Sequence, residues 1–389
     1  MNILYIGQFS PKSLLERYPD RGLDTYKTSE FLIKGFRERN DINISVITAP
    51  DVGSYPKFPQ VLFKSSIEKD GTIVAGFLNL SFIKQLMITN NLYKEACKII
   101  DKNEDQTYII LPYLVLHYVR IGRKLKARYG GKVKICQIIP DIFFPKKWLN
   151  KKVNHFAEKE GAKADAFILF TRPMAEYLHI ENKPFLVMES VIDAATYPEQ
   201  REIIIKTNKK LQVVYTGALG RPNGVGKLLS MMRLMKRDDF ELVITGRGPL
   251  SKQFEEASKE DPRIRFMGTV PKNEVFNYQS NADVLINPRS DSDAPMVTDY
   301  MFPSKLMEYM LTGNPALSCR MAGIPLDYYN YIYVSEDDSS EGLANALSKV
   351  LDLNHAERLE KGKAARDYIL DNKTIDVQVR RIVEMLNKI

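Results

Sequence analysis

Short apolar runs rich in β-branched residues alternate with amphipathic helical patterns along almost the whole chain. The predicted strands are 3–6, 44–48, 73–77, 108–111, 133–138 and 166–170, followed by 212–215, 241–245, 263–266 and 284–286. Predicted helices include 29–39, 81–100, 339–351, 356–370 and 375–388. Alternation of this kind is typical of parallel sheets covered by helices on both faces. The sequence therefore predicts an α/β protein.

The length of the chain divides this pattern into two domains. A chain of 389 residues is too long for one ordinary core, and the strand series restarts after a charged stretch that contains Pro198. We predict an N-terminal domain over 1–195, a linker over 196–210 and a C-terminal domain over 211–370. A last helix within 371–389 is predicted to cross back to the N-terminal domain. The expected architecture is two doubly wound, Rossmann-like domains that face a central cleft.

Composition narrows the class of protein. The three cysteines, Cys97, Cys136 and Cys319, lie far apart, and the chain has only four histidines. Neither a disulfide framework nor a zinc site is recognisable from these spacings. No apolar run approaches the ~18 residues of a membrane span, and the N-terminus lacks the basic region of an export signal. We therefore expect a cytoplasmic globular protein with no metal and no resident cofactor.

Positive charge is concentrated between residues 120 and 163. This window holds thirteen Lys or Arg against three Asp or Glu, whereas the formal charge of the whole chain is +8. Within it, residues 146–156 mix lysines with Trp148, Leu149, Val153 and Phe156 at helical spacing. Such a segment could lie on an anionic membrane surface, or it could be a solvated helix whose apolar side packs inward. Nucleic-acid binding is the remote alternative, because the window lacks a groove-reading motif.

Residues 302–315 are predicted to form a helix whose first turn binds an anion. Pro303 suits a helix start, and Ser304, Lys305 and the backbone of Leu306 supply donors and a cation. Glu308 lies one turn further on the same face, where its carboxylate can accept from sugar hydroxyls. A phosphate site beside a hydroxyl-binding carboxylate indicates a nucleotide sugar as ligand.

Four turns that follow predicted strands add further candidates. Ligands of open α/β sheets bind at the carboxyl ends of strands. Gly217 lets the backbone approach a ligand, and Arg221, Arg247 and Arg289 offer guanidinium groups to phosphate. Val270 lies in a turn whose exposed backbone can read the edge of a nucleobase. These residues, together with 303–306 and Glu308, form the predicted donor site.

These motifs resemble the C-terminal domain of retaining glycosyltransferase family four, which has the GT-B fold. The resemblance covers about 211–351 and includes Gly-x-Gly-Pro at 246–249, Arg-Ile-x-Phe-x-Gly-x-Val-Pro at 263–271 and Phe-Pro-Ser-Lys-Leu-x-Glu-Tyr at 302–309. The last variant is similar to the branch that assembles bacterial capsule and exopolysaccharide. The resemblance implies a UDP- or GDP-linked sugar donor, a lipid-linked or oligosaccharide acceptor, and retention of the anomeric configuration. It also implies a cytoplasmic location, at the inner face of the membrane if the acceptor is lipid-linked.

The chain departs from the family at three positions. The family carries an arginine and a lysine for the diphosphate where this chain has Ala218 and Asn223. It often carries a sugar-binding glutamate where this chain has Tyr300, and Asp299 could substitute for it. If no other residues compensate, the chain is a catalytically inactive, transferase-like partner subunit. If others do, Lys305 must supply more of the positive charge.

The N-terminal domain supplies the acceptor-side candidates. Gly7 and Ser10 follow the first strand, and Tyr55 lies in the loop 53–56, which resembles the family only loosely. Asp141 ends the fifth strand, where it could touch an acceptor hydroxyl or cap a helix. We assign catalytic roles to Lys305, Arg221 and Asp141. His117 and His155 are interpreted as structural or surface residues.

An acidic loop over 291–293 needs separate interpretation. It reads Asp291-Ser292-Asp293, and an Asp-x-Asp pair binds the metal of a nucleotide sugar in a different, single-domain transferase fold. The two-domain pattern argues against that role here. We expect a solvated acidic loop that binds no metal.

Overall fold

The computed structural model describes residues 1–7, 9–17, 27–145, 147–196 and 210–389. They divide into two compact units. The first comprises 1–170, 174–192 and 375–389, and the second comprises 171–173 and 193–374. Most of the predicted linker over 196–210 lies outside the described residues.

The first unit is built on an eight-stranded sheet. Its strands and those of a separate two-stranded sheet are β1 (Asn2–Ile6), β2 (Asn43–Thr48), β3 (Leu62–Phe63), β4 (Ser66–Ile67), β5 (Ile73–Val74), β6 (Phe77–Leu78), β7 (Thr107–Pro112), β8 (Val133–Ile139), β9 (Ala166–Leu169) and β10 (Phe185–Val187). The sheet order is β10-β9-β8-β7-β1-β2-β5-β4, in which only β4 is antiparallel, while β3 and β6 pair separately. The helices are α1 (Lys12–Arg17), α2 (Lys27–Arg37), α3 (Lys84–Lys102), α4 (Leu116–Tyr129), α5 (Trp148–Gly161) and α6 (Pro173–Tyr177).

The second unit contains a six-stranded sheet in which every pair is parallel. Its strands are β11 (Leu211–Thr216), β12 (Phe240–Thr245), β13 (Ile264–Gly268), β14 (Val284–Asn287), β15 (Ala316–Ser318) and β16 (Tyr333–Val334), in the order β13-β12-β11-β14-β15-β16. Its helices are α7 (Gly226–Leu234), α8 (Ser251–Glu260), α9 (Lys272–Ser280), α10 (Ser304–Leu311), α11 (Ser340–Asp352) and α12 (His355–Asn372). The last helix of the chain, α13 (Ile375–Leu386), belongs to the first unit.

Helices cover both faces of the first sheet, as the sequence predicts. On one face, Ile110 and Cys136 lie in a core that contains residues of α2 and α13. On the other face, Gly122 of α4 packs against Leu111 and Ile135. Because neighbouring residues of a strand point to opposite faces, the two sets mark the two sides of the sheet. Helices α3 and α5 flank α4 on its own face.

The structure corrects two predictions in the first unit. The strand predicted at 73–77 is two short strands that pair with different partners. The break falls at Gly76, where a Cβ atom would lie 2.4 Å from the Phe63 carbonyl oxygen. The alternative of an α5 helix with its apolar side packed inward is wrong, because Trp148 is 67% exposed and Leu149 is 63% exposed. The other predicted strands are confirmed to within a few residues.

The hydrophobic core of the second unit lies beneath β11, β12 and β14. Val213, Leu242 and Ile286 point into it, and side chains of α7, α8 and α11 fill it. None of the described helices is long and apolar enough to cross a membrane.

Candidate functional site

The turns that follow β11, β12 and β13 interlock at the carboxyl edge of the second sheet. The N–H of Gly217 donates to the Thr245 carbonyl (2.9 Å), and the N–H of Gly246 donates to the Gly268 carbonyl (2.7 Å). A Cβ atom on Gly246 would lie 1.7 Å from the Gly217 carbonyl oxygen, so that only glycine permits this approach. The predicted glycine turns therefore form one continuous edge.

Helix α10 is fixed against this edge by a buried tyrosine. The hydroxyl of Tyr309, 1% exposed, accepts from the N–H of Thr216 at 3.0 Å. The Gln279 side chain donates to the Thr216 hydroxyl (2.9 Å). Sequence reasoning missed this contact, although Tyr309 lies inside the helix motif. One face of the helix is buried as predicted, and its apolar residues are Leu306, Met307, Met310 and Leu311.

Lys305 crosses directly over Gly217. A Cβ atom at position 217 would lie 2.5 Å from Cε and 3.0 Å from Cδ of Lys305. Gly217 also has φ +151°, a value that side chains disfavour. The structure thus brings together two predicted donor residues that are far apart in sequence, and glycine makes the contact possible.

The first turn of α10 differs in detail from the prediction. The helix begins at Ser304, with Pro303 immediately before it. The N–H of Leu306 donates to the Pro303 carbonyl (2.8 Å), and the Leu306 side chain is buried. The N-terminus of the helix therefore presents the N–H groups of Ser304 and Lys305. Glu308 is half-buried one turn further along.

Arg289 is held by the loop that follows Gly217. Its Nε donates to the Pro222 carbonyl (2.7 Å), and its terminal NH₂ donates to Oδ1 of Asn223 (2.9 Å). Burial raises the pKa of the Tyr215 hydroxyl, which donates to the Ala218 carbonyl (2.9 Å), and the charge of Arg289 has a smaller, opposing effect. Asn223 therefore supplies one of the contacts that hold the guanidinium here, an acceptor that a lysine at this position could not provide.

The remaining predicted donor residues lie on the same edge of the sheet. Arg221 is exposed at the start of a short 3₁₀ turn, and Arg247 is exposed in the turn after β12. The N–H of Leu219 donates to the Arg247 carbonyl (2.9 Å), which ties the two loops together. Val270 is half-buried between β13 and α9.

The acidic loop is structural, so the prediction of a solvated loop is wrong. Asp293 accepts from Lys227 (2.9 Å) and from the N–H of Ser290 (2.7 Å). One oxygen of Asp291 accepts from the N–H of Ala322 (2.9 Å), and burial raises the pKa of this carboxyl. Among the described residues, no group of side chains is arranged to hold a metal ion.

Acceptor-side candidates follow β1 and β8 in the first unit. Gly7 (φ +124°) packs on Tyr118, whose ring would be 2.5 Å from a Cβ atom there. Ser10 is buried. Asp141 is half-buried, and its charge, together with burial as the larger cause, raises the pKa of Tyr113 to about 12. The helix-capping alternative for Asp141 is wrong, because α5 begins only at Trp148.

Two further residues of this unit were singled out in the sequence, Tyr55 as an acceptor-side candidate and His117 as a structural or surface residue. Tyr55 is 47% exposed, and its N–H donates to the Asn79 carbonyl (2.9 Å). Burial lowers the pKa of His117 to about 4, against a smaller opposing effect of Asp51. His117 is therefore neutral at pH 7, in keeping with its interpretation as a structural residue.

Comparison with known proteins agrees with this geometry. The family model described as "Glycosyl transferases group 1" matches residues 210–353, from β11 to the end of α11. No curated protein matches the chain.

Solved structures of similar fold span the whole chain. Sucrose-phosphate synthase from Thermosynechococcus elongatus is 15% identical, with a TM-score of 0.64, over 100% of this chain and 99% of that one. Anabaena HepE in complex with UDP is 14% identical, with a TM-score of 0.66, over 100% of both chains. The lipopolysaccharide outer core galactosyltransferase WaaB is 16% identical, with a TM-score of 0.65, over 100% of this chain and 99% of that one. These likenesses establish the GT-B fold. Together with the matched domain, they support a glycosyltransferase.

Proposed function

We propose that the protein is a retaining glycosyltransferase that moves a sugar from a UDP- or GDP-linked donor to a hydroxyl of a lipid-linked saccharide in bacterial surface polysaccharide synthesis. The observation that carries the proposal is the crossing of Lys305 over Gly217 at the start of α10. A cation, two helix-start N–H groups and a close backbone approach meet there, and together they suit a diphosphate.

The reaction needs stabilisation of a leaving diphosphate. As the bond from the anomeric carbon to oxygen breaks, negative charge grows on the phosphate oxygens. In this proposal Lys305 and the N–H groups of Ser304 and Lys305 bind that charge, and Arg221 and Arg247 add charge from the neighbouring turns. Each such donor contributes about 3 kcal/mol to the transition state. Glu308, one turn along the helix, accepts from the ribose hydroxyls.

Arg289 supplies part of the charge that the family draws from positions 218 and 223. Its contacts to Pro222 and Asn223 hold its guanidinium against the loop that follows Gly217. The residues Ala218 and Asn223 are therefore accompanied by a cation from the loop that follows β14. This arrangement favours an active enzyme over the alternative of an inactive partner subunit.

The acceptor in this proposal binds to the first unit. Gly7, Ser10, Tyr55 and Asp141 would contact the saccharide, with Asp141 positioning the reacting hydroxyl. Departing phosphate oxygen takes the proton of that hydroxyl on the same face of the sugar, which retains the configuration and requires no metal. The UDP complex of HepE supports a nucleotide donor by analogy of fold.

A donor screen tests this function. Purified protein is mixed with a panel of UDP- and GDP-sugars, and we expect at least one to raise the melting temperature and to be transferred or slowly hydrolysed. Lys305→Ala should lower turnover of that donor by about 10²–10³-fold while the fold is kept. Lys252→Ala, at a lysine that is 86% exposed on α8, is the matched control and should behave as wild type. Absence of donor binding across the panel, or full activity of Lys305→Ala, would refute the proposal.

A further inference from the structure

We propose that the first unit docks onto an anionic phospholipid bilayer through the exposed N-terminal ends of α3 and α5. These two ends, residues 80–86 and 147–156, are called the docking surface below. This inference rests on the proposed function only in that a lipid-linked acceptor is found at such a bilayer. The evidence for the surface itself is independent of any sugar transfer.

Helix α5 is turned so that its large apolar side chains face away from the protein. Ala157 and Gly161 are buried and pack the helix down. The exposed apolar residues are Trp148 (67%), Leu149 (63%), Val153 (41%) and Phe156 (40%). At 100° per residue these four cover an arc of about 140° on the side opposite the buried residues. An amphipathic helix normally buries this arc, so its exposure indicates an apolar partner.

Cations lie on the exposed arc, at Lys152 and Lys159, and beside it at the exposed start of the helix. Lys147, Lys151, Lys152 and Lys159 are all exposed, and the Lys152 ammonium stands 4.2 Å from the centre of the Trp148 ring. A tryptophan with neighbouring lysines is the combination that binds at the headgroup level of a bilayer, where the ring is partly buried and the ammonium groups meet lipid phosphates. A nucleic acid would match the charge but would leave the apolar arc without a partner.

The start of α3 adds a second apolar group that the sequence analysis did not anticipate. Phe82 is 93% exposed and Leu86 is 62% exposed, with Leu80 and Ile83 exposed beside them. Helices α3 and α5 pack on either side of α4 on one face of the sheet. Helix α3 leads into β7 and α5 leads into β9, and a helix that returns to the amino end of such a strand begins at the carboxyl edge of the sheet. Two apolar ends therefore stand at one edge of one unit, as a planar partner requires.

This edge is also the acceptor side of the unit. Tyr55 forms a β-bridge with Leu80, two residues before Phe82. Asp141 follows β8, seven residues before Trp148 begins α5. A bilayer in contact with the docking surface would hold the saccharide of a lipid-linked molecule next to these residues.

Trp148 makes the proposal directly measurable, since it is the only tryptophan of the chain. Full-length protein is titrated with vesicles of phosphatidylcholine alone or with phosphatidylglycerol added. We expect a blue shift of the emission with the anionic vesicles, quenching by brominated acyl chains, and weaker binding at high salt. Lys147→Gln/Lys151→Gln/Lys152→Gln should weaken binding about a hundredfold. The control Lys252→Gln/Lys259→Gln/Lys272→Gln, in the second unit, should leave binding unchanged.

The apolar contribution is tested separately. Phe82→Ala/Leu86→Ala should reduce vesicle binding without touching Trp148 or the lysines, and Leu326→Ala, at an 81% exposed leucine of the second unit, is its control. Unshifted emission with anionic vesicles would overturn the proposal. A blue shift that rises with protein concentration in the absence of lipid would overturn it in favour of a protein interface. Since neither donor nor turnover enters this assay, failure of the proposed function would leave its result intact.

Discussion

Replacing Gly217 by alanine should disable the donor site by moving Lys305. A Cβ atom at 217 would lie 2.5 Å from Lys305 Cε, and ordinary contact begins near 3.4 Å, so Cε must retreat by about 0.9 Å. Because Cε belongs to the flexible end of the side chain, this retreat costs little stability. A misplacement of about 1 Å can nevertheless cost about 10²-fold in rate. We therefore expect kcat/KM for the donor identified in the screen to fall by about two orders of magnitude.

The backbone of Gly217 adds a separate and smaller effect. Alanine at φ +151° is strained by about 1–3 kcal/mol, which should lower the free energy of unfolding by a similar amount. Gly71→Ala is the matched control, because Gly71 has φ +79° and no atom within 4 Å of a Cβ atom there. It should carry strain of this order with no loss of activity.

A double mutant separates displacement of Lys305 from strain. In the Lys305→Ala background, the Cβ atom of Gly217→Ala no longer meets Cδ and Cε of Lys305. The value of kcat/KM should therefore fall little further. Steady-state kinetics of the two single variants and the double variant give the coupling directly. Additive losses, or a Gly217→Ala enzyme as active as wild type, would refute the reasoning.

Three other predictions follow from individual contacts. Tyr309→Phe leaves the buried N–H of Thr216 without its acceptor and should lower the free energy of unfolding by about 1–3 kcal/mol, as measured in urea; an unchanged midpoint would contradict this. Asn223→Leu removes an acceptor of Arg289 and should raise the Kd for the donor nucleotide about tenfold in calorimetry, whereas an unchanged Kd would mean that Arg289 does not depend on this contact. His117 has a pKa of about 4 in the fold against 6.5 unfolded, so the unfolded state binds more protons between these values. The free energy of unfolding therefore keeps its full value above pH 6.5 and falls by about 2 kcal/mol between pH 7 and 4.5, because His117 is protonated in the unfolded state but not in the folded state. His117→Gln should remove that part of the pH dependence of urea unfolding.

Much of the fold could be predicted because hydrophobic periodicity is a local property. The central strands β1, β7, β8, β11 and β12 are predominantly apolar, and they were predicted to within a residue or two. The short strands β10, β15 and β16 were missed, since two or three residues carry too little pattern. At Gly76 a run that reads as one strand is divided by the close approach of the Phe63 carbonyl, which is a contact between distant residues.

The candidate site also contains residues that could be predicted from the sequence and contacts that could not. Motif order proposes Gly217, Lys305 and Glu308 as donor-site candidates, because glycine turns and helix starts have local signatures. The roles of Tyr309, and of Asn223 as the acceptor that holds Arg289, depend on which strands become neighbours. Their signals in the sequence are no stronger than those of many other polar residues.

By itself, the sequence determined the α/β class, the two strand series and the residue types available to bind a nucleotide sugar. Only the tertiary structure decided that Lys305 lies across Gly217 and that the acidic loop is tied to Lys227. It alone decided that the apolar arc of α5 faces outward. The physical reason is that periodicity records which side chains share a face, whereas the pairing of strands and the packing of helices determine what that face meets.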